Sequence, residues 1–166
     1  MKIPVTLNKT KIILDEQPDE LLCKVLHKNG CTSVKEGCME GGCGSCTVLI
    51  NDIPSASCKI PVGLVRDFDI VTLDFFEKSD FYSVIMEGFN KAGIKLCGYC
   101  NAGKIFSAYQ ILKNTKIPTR EEIKEQMKHL SSCCTDLETL VNGVIYAMQV
   151  QARKLKRVTK TTGARQ

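Results

Sequence analysis

The sequence predicts an α+β protein in which a small mixed sheet precedes a bundle of short helices. The hydrophobic period is two over the first part of the chain and becomes 3.6 from about residue 81. Eight of the ten cysteines form two groups, one on each side of this change. The boundary near Glu77 to Asp80 predicts a domain at 1–77, a domain at 81–152 and a basic tail at 153–166.

The N-terminal segment has the pattern of a hairpin followed by a helix. Residues 3–7 alternate apolar and polar side chains, and a turn at Lys9-Thr10 leads to a second apolar run at 12–14. Pro18 is predicted to open a helix with one apolar face, and Asn29-Gly30 is predicted to close it.

Two more strands are predicted after a glycine-rich segment. The apolar run at 47–50 reads as a strand that turns at Asn51-Asp52, and residues 70–73 read as the last strand. The order of strand, strand, helix, loop, strand and strand predicts a mixed sheet that packs around one helix.

Four helices are predicted in the second part. Start signals of the form Thr-x-x-Glu precede the third helix, at Thr119 and Glu122, and the fourth helix, at Thr135 and Glu138. Apolar residues at helical spacing define the first two helices: Phe81, Val84, Ile85, Gly88, Phe89 and Ala92, then Ile105, Ala108, Ile111 and Leu112.

The composition predicts a cytoplasmic protein whose cysteines bind metal. No apolar run is long enough for a signal peptide or a membrane span. Ten cysteines in a secreted chain would predict disulfides, but clustered cysteines in a reducing cytosol are more often metal ligands. The net charge of +5 comes with a basic C-terminal segment that lacks aromatic residues, so we expect a frayed terminus and no nucleic-acid partner.

The first cysteine group has the spacing of a plant-type [2Fe–2S] centre, C-x4-C-x2-C with a fourth cysteine after eleven intervening residues. Its glycines permit positive φ and let peptide N–H groups approach the sulfurs. A zinc site is the alternative, although zinc sites favour paired C-x2-C motifs. The candidate ligands are Cys38, Cys43, Cys46 and Cys58.

The second cysteine group lies before two predicted helices. Cys97 and Cys100 form a C-x2-C pair before the second helix of the bundle, and Cys133-Cys134 precede the fourth. Free N–H groups and partial positive charge at helix N-termini stabilise an anionic cluster, so these four cysteines are candidate ligands of a second [2Fe–2S] centre. Zinc remains an alternative here, whereas a thioredoxin-type redox pair would need a preceding strand.

No catalytic residue is predicted in this chain. Cys23 and Cys31 lie outside both patterns and are expected to be buried structural thiols. His27 and His129 are far apart in sequence and are placed on predicted helices, where a lone histidine is usually a surface or capping residue.

The cysteine motifs resemble those of the small iron–sulfur subunit of the molybdenum hydroxylases, the xanthine dehydrogenase and aldehyde oxidoreductase group. The similarity extends from the first strand to about residue 150. It rests on Gly37-Cys38-x-Glu40-Gly41-x-Cys43-Gly44-x-Cys46, on Cys58 and on Cys97-Gly98-Tyr99-Cys100. The resemblance implies a β-grasp, plant-ferredoxin-like domain followed by a four-helix domain, with one [2Fe–2S] cluster in each.

The same resemblance implies the partners and the role of the chain. In this family a large subunit binds molybdopterin and a medium subunit usually binds FAD. Substrate is hydroxylated at molybdenum, and electrons pass through the cluster of the helical domain and then the β-grasp cluster to the flavin. The chain is therefore expected to be an electron-transfer subunit of an oxidoreductase, and no membrane contact is expected.

The chain departs from the family pattern around its second cysteine group. The family's C-x-C spacing falls on Ser132 and Cys134, so the fourth ligand is either Cys133, which we favour because thiolate is the usual ligand, or Ser132. Leu96 replaces a common glutamine, and Asn101-Ala102-Gly103 replaces Thr-Pro-Gly, which suggests that the contact with the pterin differs.

Two other functions are compatible with the sequence. A free-standing two-cluster ferredoxin would carry the same cysteines, although such carriers are usually acidic. A zinc-stabilised binding module would be colourless, whereas an iron–sulfur protein is strongly coloured.

Overall fold

The computed structural model describes residues 1–114 and 116–162, with side chains as far as residue 157. Its first part is a five-stranded mixed sheet of order β2-β1-β5-β3-β4, in which β1 and β5 are parallel and the other neighbours are antiparallel. The strands are β1 (Lys2–Leu7), β2 (Thr10–Asp15), β3 (Thr47–Ile50), β4 (Ile53–Ala56) and β5 (Asp69–Val71). Helices follow this sheet, so the α+β prediction is confirmed.

The predicted turn at Asn51-Asp52 is confirmed, the first turn lies one residue earlier than the predicted Lys9-Thr10, and one strand was missed. Asn8-Lys9 and Asn51-Asp52 have positive φ, as tight turns between antiparallel strands require. The second turn leads directly into β4, which pairs with β3 over its full length. The pattern did not reveal β4 because Pro54 interrupts it, and proline is tolerated there since β4 is an edge strand.

Helix α1 (Leu22–Lys28) begins later than predicted. Pro18 lies outside it, because Leu21 keeps an extended backbone and forms a β-bridge with Pro61. The predicted end is confirmed: Asn29 caps the helix and Gly30 follows with a φ of +83°.

The last strand is shorter than predicted. β5 ends at Val71, and Leu73 begins a single-turn helix, α2 (Leu73–Phe76). The Asn8 side chain holds Thr72 at this change of direction, because its carboxamide oxygen accepts the Thr72 N–H at 2.9 Å.

Four longer helices follow, as predicted: α3 (Asp80–Lys91), α4 (Asn101–Lys113), α5 (Arg120–Met127) and α6 (Leu137–Thr162). The capping box of Thr119 and Glu122 at the start of α5 is confirmed. At α6 the prediction of Thr135 as the cap was wrong. Asp136 caps this helix, since its carboxylate accepts the Thr139 N–H at 2.9 Å and the Thr139 hydroxyl at 2.7 Å.

Helices α3 and α6 pack closely against each other. A Cβ at Gly88 would lie 2.3 Å from the Ala147 backbone nitrogen, so only glycine allows this approach. The buried apolar residues of the helices form one core, which also includes Leu49 of β3 and Phe76 of α2. The sheet and α1 enclose a second core. The helical part is therefore packed directly on the sheet at β3.

The predicted basic tail is helical over its described part. Helix α6 extends to Thr162, and Arg153 within it pairs with Glu87 of α3 at 3.3 Å. Residues 163–166 lie outside the described residues. Among the helices of the described residues, none is long and apolar enough to span a bilayer.

Candidate metal centres

The β3–β4 hairpin brings two cysteines of the first group together. Cys46 immediately precedes β3, and Cys58 lies in the 3₁₀ turn Ser57–Lys59 that follows β4. The hairpin register therefore places these two segments side by side, and the Ser57 hydroxyl donates a hydrogen bond to the Cys46 carbonyl at 2.6 Å. Both thiols are buried, and burial together with the adjacent Cys46 thiol raises the pKa of Cys58 to about 12.

The other two cysteines of this group share a nest of peptide N–H groups. The N–H groups of Glu40 and Cys43 donate to Cys38 Sγ at 3.3 and 3.4 Å, and those of Cys38 and Ser45 donate to Cys43 Sγ at 3.4 and 3.5 Å. The hydrogen bonds from Glu40 and Cys43 lower the pKa of the Cys38 thiol to about 6. This is the approach of N–H groups to sulfur that the glycine-rich sequence predicted.

The four cysteines of the second group converge on one point. Their sulfur atoms all lie within 4.8 Å of one another. Cys100 precedes α4, and its Sγ lies 2.7 Å from Cys133 Sγ and 4.0 Å from Cys134 Sγ, both in the segment before α6. The predicted meeting of two helix N-termini is therefore confirmed.

Local hydrogen bonds shape the segment between Cys97 and Cys100. Gly98 has a φ of +86°, and its N–H donates to the Asn101 carboxamide at 3.0 Å. This turn aims the N–H groups of Tyr99 and Cys100 at Cys97, and they lower the pKa of that thiol to about 7. Burial raises the pKa of Cys100 to about 12. A bound metal ion would have to displace the remaining thiol protons.

A lysine that the sequence did not reveal lies against the second cysteine group. The Lys104 ammonium donates to Cys100 Sγ at 2.9 Å and is buried. No carboxylate of the described residues lies within 4.0 Å of it. A buried ammonium requires an anionic partner, which thiolates around a metal supply, so the donor set fits a thiolate-held cluster. The i, i+4 spacing from Cys100 at a helix start is the signal that could have revealed it.

The two cysteine groups are in contact through the backbone. The N–H of Gly103, in the first turn of α4, donates to the carbonyl of Gly44 in the first cysteine loop at 3.0 Å. The Tyr99 hydroxyl donates to the Glu36 carbonyl at 3.2 Å. The loop of the first group therefore rests on the helix start of the second.

Two cysteines and two histidines remain outside the two cysteine groups. Cys23 and Cys31 are buried in the core of the sheet, and burial raises the pKa of both thiols. His27 is in α1, and its Nδ1 lies 3.1 Å from the Val34 carbonyl oxygen. His129 follows α5, which ends at Met127, so its predicted position within the helix was wrong.

Both parts of the chain match known iron–sulfur domains. Residues 5–62 match the 2Fe-2S iron-sulfur cluster binding domain, and residues 72–145 match the [2Fe-2S] binding domain. The helical match includes Cys97, Cys100, Cys133 and Cys134.

Relatives that match most of the chain include subunits of dehydrogenases. The nicotinate dehydrogenase small FeS subunit of Eubacterium barkeri is 35% identical over 151 residues, which are 89% of this chain and 96% of that protein. The xanthine dehydrogenase iron-sulfur-binding subunit of Escherichia coli O157:H7 is 30% identical over 145 residues, which are 86% of this chain and 91% of that protein.

A solved structure extends the similarity to a longer polypeptide. The crystal structure of the aldehyde oxidoreductase from Desulfovibrio desulfuricans ATCC 27774 superposes with a TM-score of 0.79 at 26% identity, and it covers 91% of this chain and 17% of that one. The domain order, the two cysteine groups and the match along nearly the whole of two dedicated subunits lead to one assignment. The chain belongs to the small iron–sulfur subunits of the molybdenum hydroxylases, and it is an electron-transfer subunit with two [2Fe–2S] domains.

Proposed function

We propose that this chain relays electrons from a large molybdopterin subunit, through two clusters, to a medium FAD subunit. A [2Fe–2S] cluster accepts and releases one electron at a time. The sheet domain at 1–77 would hold one cluster and the helical domain at 81–152 the other. The proposed ligands are Cys38, Cys43, Cys46 and Cys58 in the first domain, and Cys97, Cys100, Cys133 and Cys134 in the second.

The contact between the two cysteine groups is the observation that carries this proposal. The hydrogen bond from Gly103 to Gly44 joins the loop between Cys43 and Cys46 to the helix that follows Cys100. Such a contact gives a short path for an electron between two clusters.

The thiol contacts also support an assignment of ligands to the two irons of the first cluster. The N–H of Cys38 donates to Cys43 Sγ and the N–H of Cys43 donates to Cys38 Sγ, while the thiols of Cys46 and Cys58 contact each other. Each pair would therefore hold one iron. The pair of Cys46 and Cys58 is buried and Cys38 is exposed, so one side of the cluster would face the surface, where a partner can approach.

Separate partner subunits are supported by two relatives that this chain matches along nearly their whole length, 96% of the nicotinate dehydrogenase small FeS subunit and 91% of the xanthine dehydrogenase iron-sulfur-binding subunit. The aldehyde oxidoreductase contains the equivalent region within a polypeptide of which this chain matches only 17%. The remaining parts of the reaction would then belong to other chains here, and Cys97 and Cys133 are exposed as a second point of electron exchange. Cytoplasmic location stays a prediction from the sequence, which cell fractionation would test.

The iron content of the purified chain tests the two-cluster proposal. We expect about four iron atoms and about four acid-labile sulfides per chain, because each [2Fe–2S] cluster contains two of each. Elemental analysis and electron paramagnetic resonance (EPR) of the reduced protein would measure both. About two of each would mean that one domain lacks a cluster, and zinc in a colourless protein would contradict the proposal. Co-purification with two larger subunits would separate a resident subunit from a free ferredoxin.

Alanine variants of two adjacent residues identify the last ligand of the second cluster. Cys133→Ala is expected to lower the iron content from about four to about two atoms per chain, because Cys133 Sγ lies 2.7 Å from Cys100 Sγ. Ser132→Ala, the matched control, should keep about four. The opposite pattern, with iron lost only in Ser132→Ala, would make the serine hydroxyl the ligand.

A further inference from the structure

Lys104 is a buried charge at the second cysteine group. Its side chain is 1% exposed, and among the described residues it is the one charged side chain that is buried. It lies in the first turn of α4, among the apolar residues that pack that helix into the core. Lysine is almost never fully buried without a partner, so its position calls for an anion nearby.

Among the described residues, the Lys104 ammonium has one polar contact, with the sulfur of Cys100 at 2.9 Å. The carboxylates of the described part of the chain lie farther than 4.0 Å from it. A cluster held by four thiolates is anionic, and it gains one more negative charge when it is reduced. The ammonium therefore interacts more strongly with the reduced form than with the oxidised form.

We propose that Lys104 raises the reduction potential of the second cluster by charge and by its hydrogen bond to Cys100. One electron enters the cluster on reduction, and no bond to Lys104 is made or broken. Hydrogen bonds to cluster sulfurs and nearby positive charge are established means by which a protein tunes such a potential. This inference rests on the proposed function, since it requires a cluster at the second site.

The test is a redox titration of each cluster by EPR in the full-length chain that carries both clusters. Lys104→Met has a similar length but no charge and no donor. We expect its ratio of reduced to oxidised second cluster at a given potential to fall about tenfold, which corresponds to about 59 mV for one electron. The first cluster serves as the internal control and should keep its potential. Lys104→Arg should restore most of the potential, because it keeps the charge and a donor.

A matched charge control lies at the other end of the same helix. Lys113→Met also removes one positive charge from α4, but Lys113 is partly exposed and lies nine residues away, about 13 Å along the axis. It should leave the potential of the second cluster unchanged. An equal shift in both methionine variants would show that only net charge matters, and it would overturn the specific role of Lys104.

Other outcomes separate this inference from the proposed function. If Lys104→Met kept its full iron content and the reduction potential of its second cluster did not change, this inference would be overturned and the proposed function would stand. If that variant lost its second cluster, Lys104→Gln would decide, because it keeps a donor but no charge: a lowered potential supports the proposal and an unchanged one overturns it. Iron near two atoms per chain in the unsubstituted protein that stays near two in Cys133→Ala would overturn both the second cluster and this inference.

Discussion

Replacing Gly37 with alanine is expected to prevent assembly of the first cluster, with iron falling from about four to about two atoms per chain. A Cβ at this position would lie 2.6 Å from Cys43 Sγ and 3.0 Å from Ser45 Oγ. The new methyl group would therefore displace a proposed ligand and the residue whose N–H donates to that ligand. Iron analysis and the loss of one of two EPR signals would measure the effect.

Gly42→Ala is the matched control for this variant. Gly42 lies in the same loop, has no neighbour within 4 Å of an added Cβ and is outside the positive-φ glycines. It should keep about four irons and both signals. If Gly37→Ala also kept both clusters, the sulfur of Cys43 would not need the position that the structure gives it, and the proposed ligand arrangement would be wrong.

Replacing Gly103 with alanine is expected to loosen the contact between the two domains. Its Cβ would lie 2.7 Å from the Cα of Gly44 and 3.3 Å from the Gly44 carbonyl oxygen. Backbone atoms cannot move aside as a flexible side chain can, so the loop or α4 must shift. Overpacking of this kind typically lowers the free energy of unfolding by about 1–3 kcal/mol. Urea denaturation of the full chain would measure that loss.

The same variant, Gly103→Ala, should weaken the magnetic interaction between the two clusters. A larger separation reduces the magnetic interaction between two reduced clusters, so any splitting in the EPR spectrum of the fully reduced protein should become smaller. Gly42→Ala again provides the control, since it adds the same methyl group to the facing loop without a contact. Unchanged stability together with unchanged splitting in Gly103→Ala would mean that the Gly44 contact is not the link between the domains.

Local residue patterns predicted most elements because their signals do not depend on distant contacts. The hairpin turns, the end of α1 at Asn29-Gly30 and the capping box at Thr119 each act within a few residues. Two of the wrong predictions concern the start of α1 and the end of the last strand, whose positions depend on contacts with residues distant in the sequence. Leu21 stays extended because it pairs with Pro61, and the last strand ends early because Asn8 holds Thr72.

The candidate ligands and their two groups follow from spacing, but the contacts within each group follow from the fold. Strand β4, which the pattern did not show, is what brings Cys58 to Cys46, since it returns antiparallel to β3. The choice between Cys133 and Ser132 was open in the sequence. The contact of Cys133 with Cys100 supports the thiol, because two helix starts meet there.

Periodicity and spacing are local properties of a chain, so the sequence was enough to predict a part with alternating pattern, a helical part and two cysteine groups with iron–sulfur spacing. The contact of the two groups through Gly44 and Gly103, and the burial of Lys104 against Cys100, became visible only in the folded chain. A lysine in a sequence reads as a surface residue. Its burial depends on which helix ends converge around it, and that is a property of the packed molecule.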